Sequence, residues 1–319
     1  HPAGAENIFT VSGVHVDASA ASSHEAYTIA LQQGRPKAWT ILYRRLTRQQ
    51  DWNRQPALDV NALDHLSRGY TIANERRSTT RYVADVTYVF NPEAVERILR
   101  DANIAYIGSS AKRILLVPMA PGYDHGAWAA ALASPRFRDS VVPFAVPAGS
   151  AADQAALGGL NFDSATWADV QPVAARIHAS EAALVQAVYS NGHVTVNVRR
   201  IGLGAPAAKS SIDVPLVQTV GSTYPAAADA AVHLIEDLWK TKSAVDFSQK
   251  GRLTADVRVS TLAKWGALQT ALAGVGNVTG ITVQDVDIGE ARIAIAYQGS
   301  IDQLKDAMSA QGLSLVYRG

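Results

Sequence analysis

Two groups of residues in this chain have types and spacings that could do chemistry, one with a metal ion and one by proton transfer. His233 and Asp237 stand one helical turn apart with Glu236 beside them, and imidazole and carboxylate groups at that spacing can share a metal ion. Asp124 and His125 lie between two glycines, where a histidine that titrates near neutrality could serve a hydrolase as its base. The first group lacks further ligands in a recognisable motif, and no histidine has a diagnostic spacing to a serine nucleophile. We therefore predict that the first group lies on a solvated helix face and that the second lies in a turn. We predict no metal or cofactor site, and a protein that is not an enzyme.

A glycine-rich string at residues 274–280, GVGNVTG, superficially resembles a dinucleotide-binding loop. Its context is wrong, because the string follows a predicted helix and enters a predicted strand. A dinucleotide loop instead follows a strand and opens the helix whose N-terminus holds the phosphates. The pattern therefore indicates a turn.

Basic residues form the strongest local charge feature of the first hundred residues. One interpretation is a solvated helix face with Glu25 and Asp51 nearby, and the other is a protein-docking surface, because arginine is enriched at interfaces. The docking interpretation predicts a surface made of these residues: Arg35, Lys37, Arg44, Arg45, Arg48, Arg76 and Arg77.

Composition excludes several classes of protein. The 319 residues are 48% hydrophobic, which suits two or three cores, and 29 basic against 28 acidic side chains leave a net charge of +1. That balance argues against nucleic acid as a main partner and against a polybasic membrane patch. The longest apolar runs, such as residues 127–133, are far shorter than the ~20 residues that span a bilayer. With no cysteine, disulfides, thiolate catalysis and zinc–thiolate sites are excluded.

The chain begins at His1-Pro2-Ala3-Gly4 without an initiator methionine. That start fits a mature exported protein whose signal peptide has been removed, and it equally fits a trimmed chain.

The elements that must position these residues fall into three modules, which we place at residues 5–108, 111–244 and 250–319. The first is predicted as a strand (8–16), a helix (22–46), a short helix (58–66), strands (70–77 and 82–90), a helix from Asn91 and a closing strand (104–107). In the long helix, Ala38, Ile41, Leu42 and Leu46 are predicted to point inward. Gly34 and Pro36 interrupt the pattern, so the helix either kinks there or begins near Arg35.

The central module is predicted from its periodicity and turn signals. The expected elements are a strand from Arg113, a helix near Trp128, a strand (141–147), a helix from Asp163, a hairpin (182–189 and 194–199), a connector (202–211), a strand (212–217) and a helix (225–240). Asn191-Gly192 in the hairpin suits a type I′ turn, because both central residues of that turn have positive φ.

The last module has the element order of ferredoxin-like βαββαβ domains. The predicted elements are strand (253–259), helix (262–272), strands (278–285 and 291–297), helix (301–310) and strand (313–317). A shift of 209 residues aligns the apolar positions of residues 84–106 with those of residues 293–315, and Asn103 then meets Gly312. This alignment is consistent with an internal duplication or with shared periodicity alone.

Two strings in the first module carry a family resemblance. Residues 42–47, LYRRLT, and residues 75–82, ERRSTTRY, resemble the proteobacterial envelope family called domain of unknown function 2066. The resemblance extends over roughly two thirds of the chain, and Pro36 departs from it. It implies an exported protein with no established activity and no catalytic residues to carry over.

The central module resembles the N-terminal domain of the periplasmic Tol translocation protein and related modules of curli-secretion and penicillin-binding-protein-activating lipoproteins. The matching features are Val117-Pro118, the strand at 141–144, Trp167 and the hairpin at 183–199. A small module before such a domain is also similar to the flagellar T-ring assembly protein. These resemblances imply a non-enzymatic part of an envelope machine.

We predict an α+β protein of the periplasm that acts by protein–protein contact as an assembly or regulatory factor of the cell envelope. Its partners would be envelope proteins rather than nucleic acid, and it would not span the membrane. One alternative is a binding module for a small lipid or glycan ligand in a groove between modules. The other alternative is a hydrolase that uses Asp124 and His125.

Overall fold

The computed structural model describes residues 8–108, 110–147, 149–202, 205–244 and 249–317. The chain divides into two compact units, one built mainly from residues 109–242 and the other from residues 9–108 together with 243–319. Three sheets and several helices make up the described residues, so the predicted α+β class is confirmed. The boundaries of the three predicted modules remain a prediction. Residues His1 to Gly4, on which part of the export prediction rests, lie outside the described ranges.

The N-terminal module is a three-stranded antiparallel sheet in the order β1-β3-β2, with helices on one face. Its elements are β1 (Thr10–Ser19), α1 (Ser23–Leu46), a 3₁₀ helix (Gln49–Arg54), α2 (Val60–Leu66), β2 (Ser67–Arg77), β3 (Arg81–Phe90) and α3 (Pro92–Asp101). Every second residue of β3, from Tyr82 to Phe90, is buried, and α1 packs against β1 and β3. The alternation that predicted β3 is therefore the alternation between core and open face.

Helix α1 is a single helix from Ser23, so the alternative in which it begins near Arg35 is wrong. The Ser22 hydroxyl caps it by accepting from the Glu25 amide at 3.2 Å. Ala38, Leu42 and Leu46 are buried as predicted. Ile41 is not: its prediction as an inward residue is wrong, because 44% of it is exposed. Adjacent helical residues differ by about 100° in direction, and the core lies on the side of Leu42.

The predicted closing strand at residues 104–107 does not form. Tyr106 makes one isolated antiparallel bridge to Thr47, and the Ile107 amide donates to the Leu46 carbonyl at 3.0 Å. Ile104 and Tyr106 are nevertheless buried. The four consecutive apolar residues from Ile104 to Ile107 are buried beside the end of α1 without pairing in a sheet.

The central module contains a five-stranded mixed sheet in the order β5-β4-β6-β7-β8. Its elements are β4 (Ile114–Met119), α4 (His125–Leu132), a 3₁₀ helix (Pro135–Phe137), β5 (Phe144–Ala145), α5 (Ala151–Leu157), α6 (Trp167–Arg176), β6 (Glu181–Ser190), β7 (His193–Gly202), β8 (Ala205–Pro215) and α7 (Val220–Ser243). β4 pairs in parallel with β5 and β6, while β6, β7 and β8 are antiparallel neighbours.

The hairpin at the centre of this sheet confirms the turn prediction. Ser190 pairs with His193, and Asn191 and Gly192 have φ values of 49° and 80°. Several other boundaries differ from the prediction; the strand predicted at 141–147, for example, covers only Phe144–Ala145. Helix α6 begins at Trp167 rather than Asp163, because Thr166 and Asp169 form a capping box at that point. The predicted connector at 202–211 is largely strand, since β8 pairs with β7 back to Ala205; residues 203 and 204 are not described.

The C-terminal module is an antiparallel sheet in the order β10-β11-β9. Its elements are β9 (Lys250–Arg258), α8 (Leu262–Ala273), β10 (Val278–Asp287), β11 (Glu290–Gln298) and α9 (Ile301–Ala310). The order of these five elements agrees with the ferredoxin-like prediction, but the predicted sixth element, a strand at 313–317, does not form. Leu313 and Leu315 contact the core, whereas Val316 and Tyr317 are 75% and 86% exposed.

The N-terminal and C-terminal modules share more than their hydrophobic spacing. The 209-residue shift takes β3 onto β11 and carries the bounds of α3, residues 92–101, onto those of α9, residues 301–310. After each helix the equivalent residue has positive φ, 54° at Asn103 and 76° at Gly312. The next residue, Ile104 or Leu313, donates to Leu99 or Met308 at 2.9 Å in both cases. The predicted alignment therefore matches backbone conformation as well as hydrophobic spacing.

No helix in the described ranges is both long enough and apolar enough to cross a membrane.

Candidate functional site

Arg35, Arg45 and Arg48, which were predicted to form part of a docking surface, contact other groups of their own chain. Arg35 lies 3.3 Å from Asp64, and Arg45 donates to the Thr10 carbonyl at 2.7 Å. Arg48 lies 3.4 Å from Asp51, a carboxylate that is 5% exposed. These guanidinium groups therefore hold elements of the N-terminal module together.

Arg77, one of the two predicted arginines of β2, packs between two tyrosine rings. The Arg77 guanidinium lies 5.3 Å from the ring centre of Tyr27 and 5.2 Å from that of Tyr82, and its Nε donates to Glu75 at 2.9 Å. The Tyr82 hydroxyl donates to the same carboxylate at 2.7 Å, and together with Arg77 it lowers the pKa of Glu75. Arg76 is exposed on the same strand.

The remaining predicted residues lie on the outer side of α1, around the exposed isoleucine. Lys37, Ile41 and Arg44 follow at spacings of four and three residues, which places them on one face of the helix. The Arg44 guanidinium lies over the ring of Trp52, 5.1 Å from its centre. We call Lys37, Ile41, Arg44 and Trp52 the outer α1 patch: an aliphatic side chain between two cations, with an aromatic ring beside one of them.

The candidate metal ligands named from the sequence do not point toward one common site. His233 Nε2 lies 3.4 Å from Asp237 Oδ2, but Glu236 accepts from the Ser140 hydroxyl at 2.8 Å. In the part of the chain that the structure describes, no group of three histidine, aspartate or glutamate residues is close enough to hold a metal ion.

The pair predicted as a hydrolase centre takes part in local structure. Asp124 Oδ1 caps α4 by accepting from the Ala127 amide at 3.1 Å. His125 Nε2 lies 2.8 Å from the Pro118 carbonyl oxygen. Because a carbonyl only accepts, this nitrogen must carry the proton, and it is not available there as a base.

The glycine-rich string at residues 274–280 is the turn that its context predicted. Gly274 is the C-cap of α8, and β10 begins at Val278.

A polar pocket in the central module was missed by the sequence predictions. It lies between the ends of β6 and β7 and the C-terminal half of α7, and has a volume of about 460 Å³. Glu181, Arg200, Asp237 and Lys242 contribute its charged groups. The sequence did contain a signal for Glu181 and Arg200, because the Asn191-Gly192 turn fixes the register of the hairpin. In that register Glu181 pairs with Gly202 and Arg200 pairs with Ala183, so Glu181 and Arg200 are diagonal neighbours.

Comparisons with known proteins add little. No protein-family model matches the chain, and no curated protein matches it. A weak structural neighbour is TolB from Acinetobacter baumannii, with a TM-score of 0.27 and 11% identity over 47% of this chain and 33% of TolB, so the chain spans about a third of that protein. A formyltetrahydrofolate deformylase from Pseudomonas putida KT2440 has a TM-score of 0.17 and 12% identity over 72% of this chain and 91% of its own. Similarity this low carries no functional argument.

Proposed function

We propose that this protein is a non-enzymatic docking factor of the bacterial cell envelope, exported to the periplasm, that binds a partner protein through the outer α1 patch. The observation that carries the proposal is Ile41. It is 44% exposed on a helix whose neighbouring positions Leu42 and Tyr43 are fully buried. The periplasmic location rests on the sequence resemblances to envelope proteins.

The chemistry of the patch favours an acidic partner segment with an apolar side chain at its centre. Lys37 and Arg44 flank Ile41 and are both exposed, so carboxylates on a partner would meet positive charge on either side of an apolar contact. The stacking of Arg44 over Trp52 orients the guanidinium before binding, which lowers the conformational entropy lost on association. Tryptophan and arginine are also the residue types that dominate interface energetics.

The roles of Asp124 and His125 support a non-enzymatic protein. Asp124 Oδ1 caps α4, and His125 Nε2 donates to the Pro118 carbonyl, so each side chain has a structural role beside α4. The hydrolase alternative is therefore the weaker one.

The proposal is tested by site-specific photocrosslinking in intact cells. A photoreactive amino acid at position 41 is expected to give one crosslinked species of defined mass. The matched control is position 212, because Ile212 is an isoleucine of similar exposure, 40%, in β8 of the central module. Adduct formation at 41 but not at 212, with loss of the adduct on Arg44→Glu, is the expected pattern.

An equal adduct from both positions, or an adduct insensitive to Arg44→Glu, would contradict the proposal. Thermal melting of the Arg44→Glu protein is the folding control. Arg44 is exposed, so we expect its midpoint to stay within a few degrees of the parent.

A further inference from the structure

The pocket in the central module contains two buried polar atoms that find no hydrogen-bond partner among the described residues. They are Nη1 of Arg200 and Oδ1 of Asp237. Arg200 is only 8% exposed, and it lines the pocket from β7, while Asp237 lines it from α7. A buried donor and a buried acceptor left unpaired are costly, and such groups are rare unless a water or a ligand satisfies them.

The rest of the Arg200 side chain is fully engaged, which fixes the direction of its unpaired nitrogen. Nε donates to Glu181 Oε2 at 2.9 Å, and Nη2 contacts the same oxygen. Lys242 Nζ lies 3.3 Å from the other oxygen of Glu181. Because Glu181 already has two cationic partners, Nη1 of Arg200 is left to donate to something else.

Asp237 is likewise half engaged. Its Oδ2 lies 3.4 Å from His233 Nε2, and its Oδ1 is the unpaired oxygen. The site therefore offers one charged donor and one charged acceptor. A ligand that satisfies both must carry an acceptor and a donor of its own, and bonds between charged groups are the stronger kind.

The charge and the lining restrict the ligand further. Arg200 and Lys242 carry two positive charges against the two negative charges of Glu181 and Asp237, so a ligand without net charge leaves the pocket balanced. Much of the remaining wall is aliphatic: Ile201, Ala208, Leu234 and Leu238. The volume of about 460 Å³ lies within the range of small-molecule pockets.

We propose that this pocket binds a small apolar amino acid in its zwitterionic form. The ligand carboxylate accepts from Arg200 Nη1, the ligand ammonium donates to Asp237 Oδ1, and the apolar side chain contacts Leu234 and Leu238. This site is separate from the outer α1 patch, and its test does not depend on the proposed docking function.

Isothermal titration calorimetry of the purified full chain at neutral pH tests the proposal, with leucine, methionine and phenylalanine as probes. We expect saturable one-site binding of at least one of them. Isocaproate lacks the ammonium group of leucine and isoamylamine lacks its carboxylate. Each is expected to bind more than about tenfold more weakly than leucine, because one buried charge stays unpaired.

Two variants test whether the amino acid binds in the pocket. Asp237→Asn keeps the size of the side chain and removes its charge, and Arg200→Lys keeps the charge toward Glu181 and removes Nη1. Both are expected to weaken binding by more than about tenfold. Asp229→Asn is the matched control on the same helix, because Asp229 is exposed and pairs with Arg136 outside the pocket; it should leave the affinity unchanged.

Three outcomes would overturn the proposal. Absence of binding by all three amino acids at millimolar concentration would mean that water satisfies Arg200 and Asp237. Equal binding by the parent and Asp237→Asn proteins would place the site elsewhere. Equal binding of isocaproate and leucine would mean that the pocket selects an anion rather than a zwitterion.

Discussion

The hydroxyl oxygen of Tyr88 occupies the space where a side chain at Gly34 would begin. A Cβ atom built on Gly34 overlaps this oxygen and lies 2.8 Å from Val16 Cγ1 and 2.9 Å from the Tyr88 ring carbon Cζ. The hydroxyl donates to the Leu31 carbonyl at 2.9 Å, and burial raises the pKa of Tyr88 to about 12, which keeps the donor protonated. Glycine inside α1 therefore permits a cross-link between the helix and the centre of β3.

Gly34→Ala is expected to destabilise the protein by about 1–3 kcal/mol, the usual cost of overpacking a core. The measurement is the free energy of unfolding from urea titration. Gly69→Ala is the control, since a Cβ at Gly69 meets nothing within 4 Å. Combining Gly34→Ala with Tyr88→Phe should cost less than the sum of the two single changes, because the second removes the overlapping oxygen. Strict additivity would contradict this account.

Glu96 should make stability fall as pH rises. Burial raises its pKa, against the lowering by Arg100 and by the Tyr106 hydrogen bond. The folded state therefore binds the proton more tightly than the unfolded chain. The stabilisation is fully present below the unfolded pKa of about 4.3 and is lost as pH rises through the folded value. Glu96→Gln should thus match the parent in acid and exceed its unfolding free energy at neutral pH.

Glu25→Gln serves as the control for this effect. Glu25 is exposed in the first turn of α1, where the helix dipole favours a negative charge. Its neutralisation should lower stability at neutral pH by a few tenths of a kcal/mol. The opposite signs of the two changes are the diagnostic result, and a stability gain from both would count against burial at Glu96 as the cause.

Two adjacent residues of α1 should respond very differently to truncation. Leu42 is completely buried, so Leu42→Ala is expected to cost about 2–5 kcal/mol. Ile41 is 44% exposed, and Ile41→Ala should change the unfolding free energy by no more than about 1 kcal/mol. Chemical denaturation of the two variants measures both, and comparable losses would mean that Ile41 is covered in solution.

Asn103 and Gly312, the equivalent positive-φ positions of the N-terminal and C-terminal modules, should tolerate different residues. Gly312 has open space around its Cβ position and a φ of 76°, so Gly312→Ala should cost about 1 kcal/mol through backbone strain alone. Asn103→Gly should change stability by less than about 0.5 kcal/mol, because asparagine and glycine both adopt this conformation. Thermal melts of both variants test the equivalence. A large loss from Asn103→Gly would show that the Asn103 side chain has a role of its own.

Local signals in the sequence predicted most of the elements correctly. Asn191-Gly192 predicted the hairpin because a type I′ turn requires two residues with positive φ, which is a property of the dipeptide itself. The alternation of residues 82–90 predicted β3 for a similarly local reason. Residues 104–107 and 313–317 are also rich in apolar residues, yet neither stretch forms a strand, because a strand also needs a neighbour to pair with.

The functional groups depended on distant contacts. The basic residues in and just after α1 could be predicted as a set. Arg35, Arg45 and Arg48 contact groups of their own chain, whereas Lys37 and Arg44 face outward, and this division depends on partners brought close by folding. Predicting the pocket would have required knowledge of still more distant contacts. The turn register places Arg200 beside Glu181, but only the packing of α7 against the sheet brings Asp237 to the same cavity.

The sequence by itself determined the α+β class, the hairpin turn and the balanced charge, because each of these depends on residues close together in the chain or on composition. Tertiary structure alone decided which side of α1 faces the core, which arginines are held by their own chain and where Arg200 and Asp237 meet. These features depend on the desolvation and pairing of groups far apart in sequence, as with Arg200 and Asp237, which are 37 positions apart in the chain.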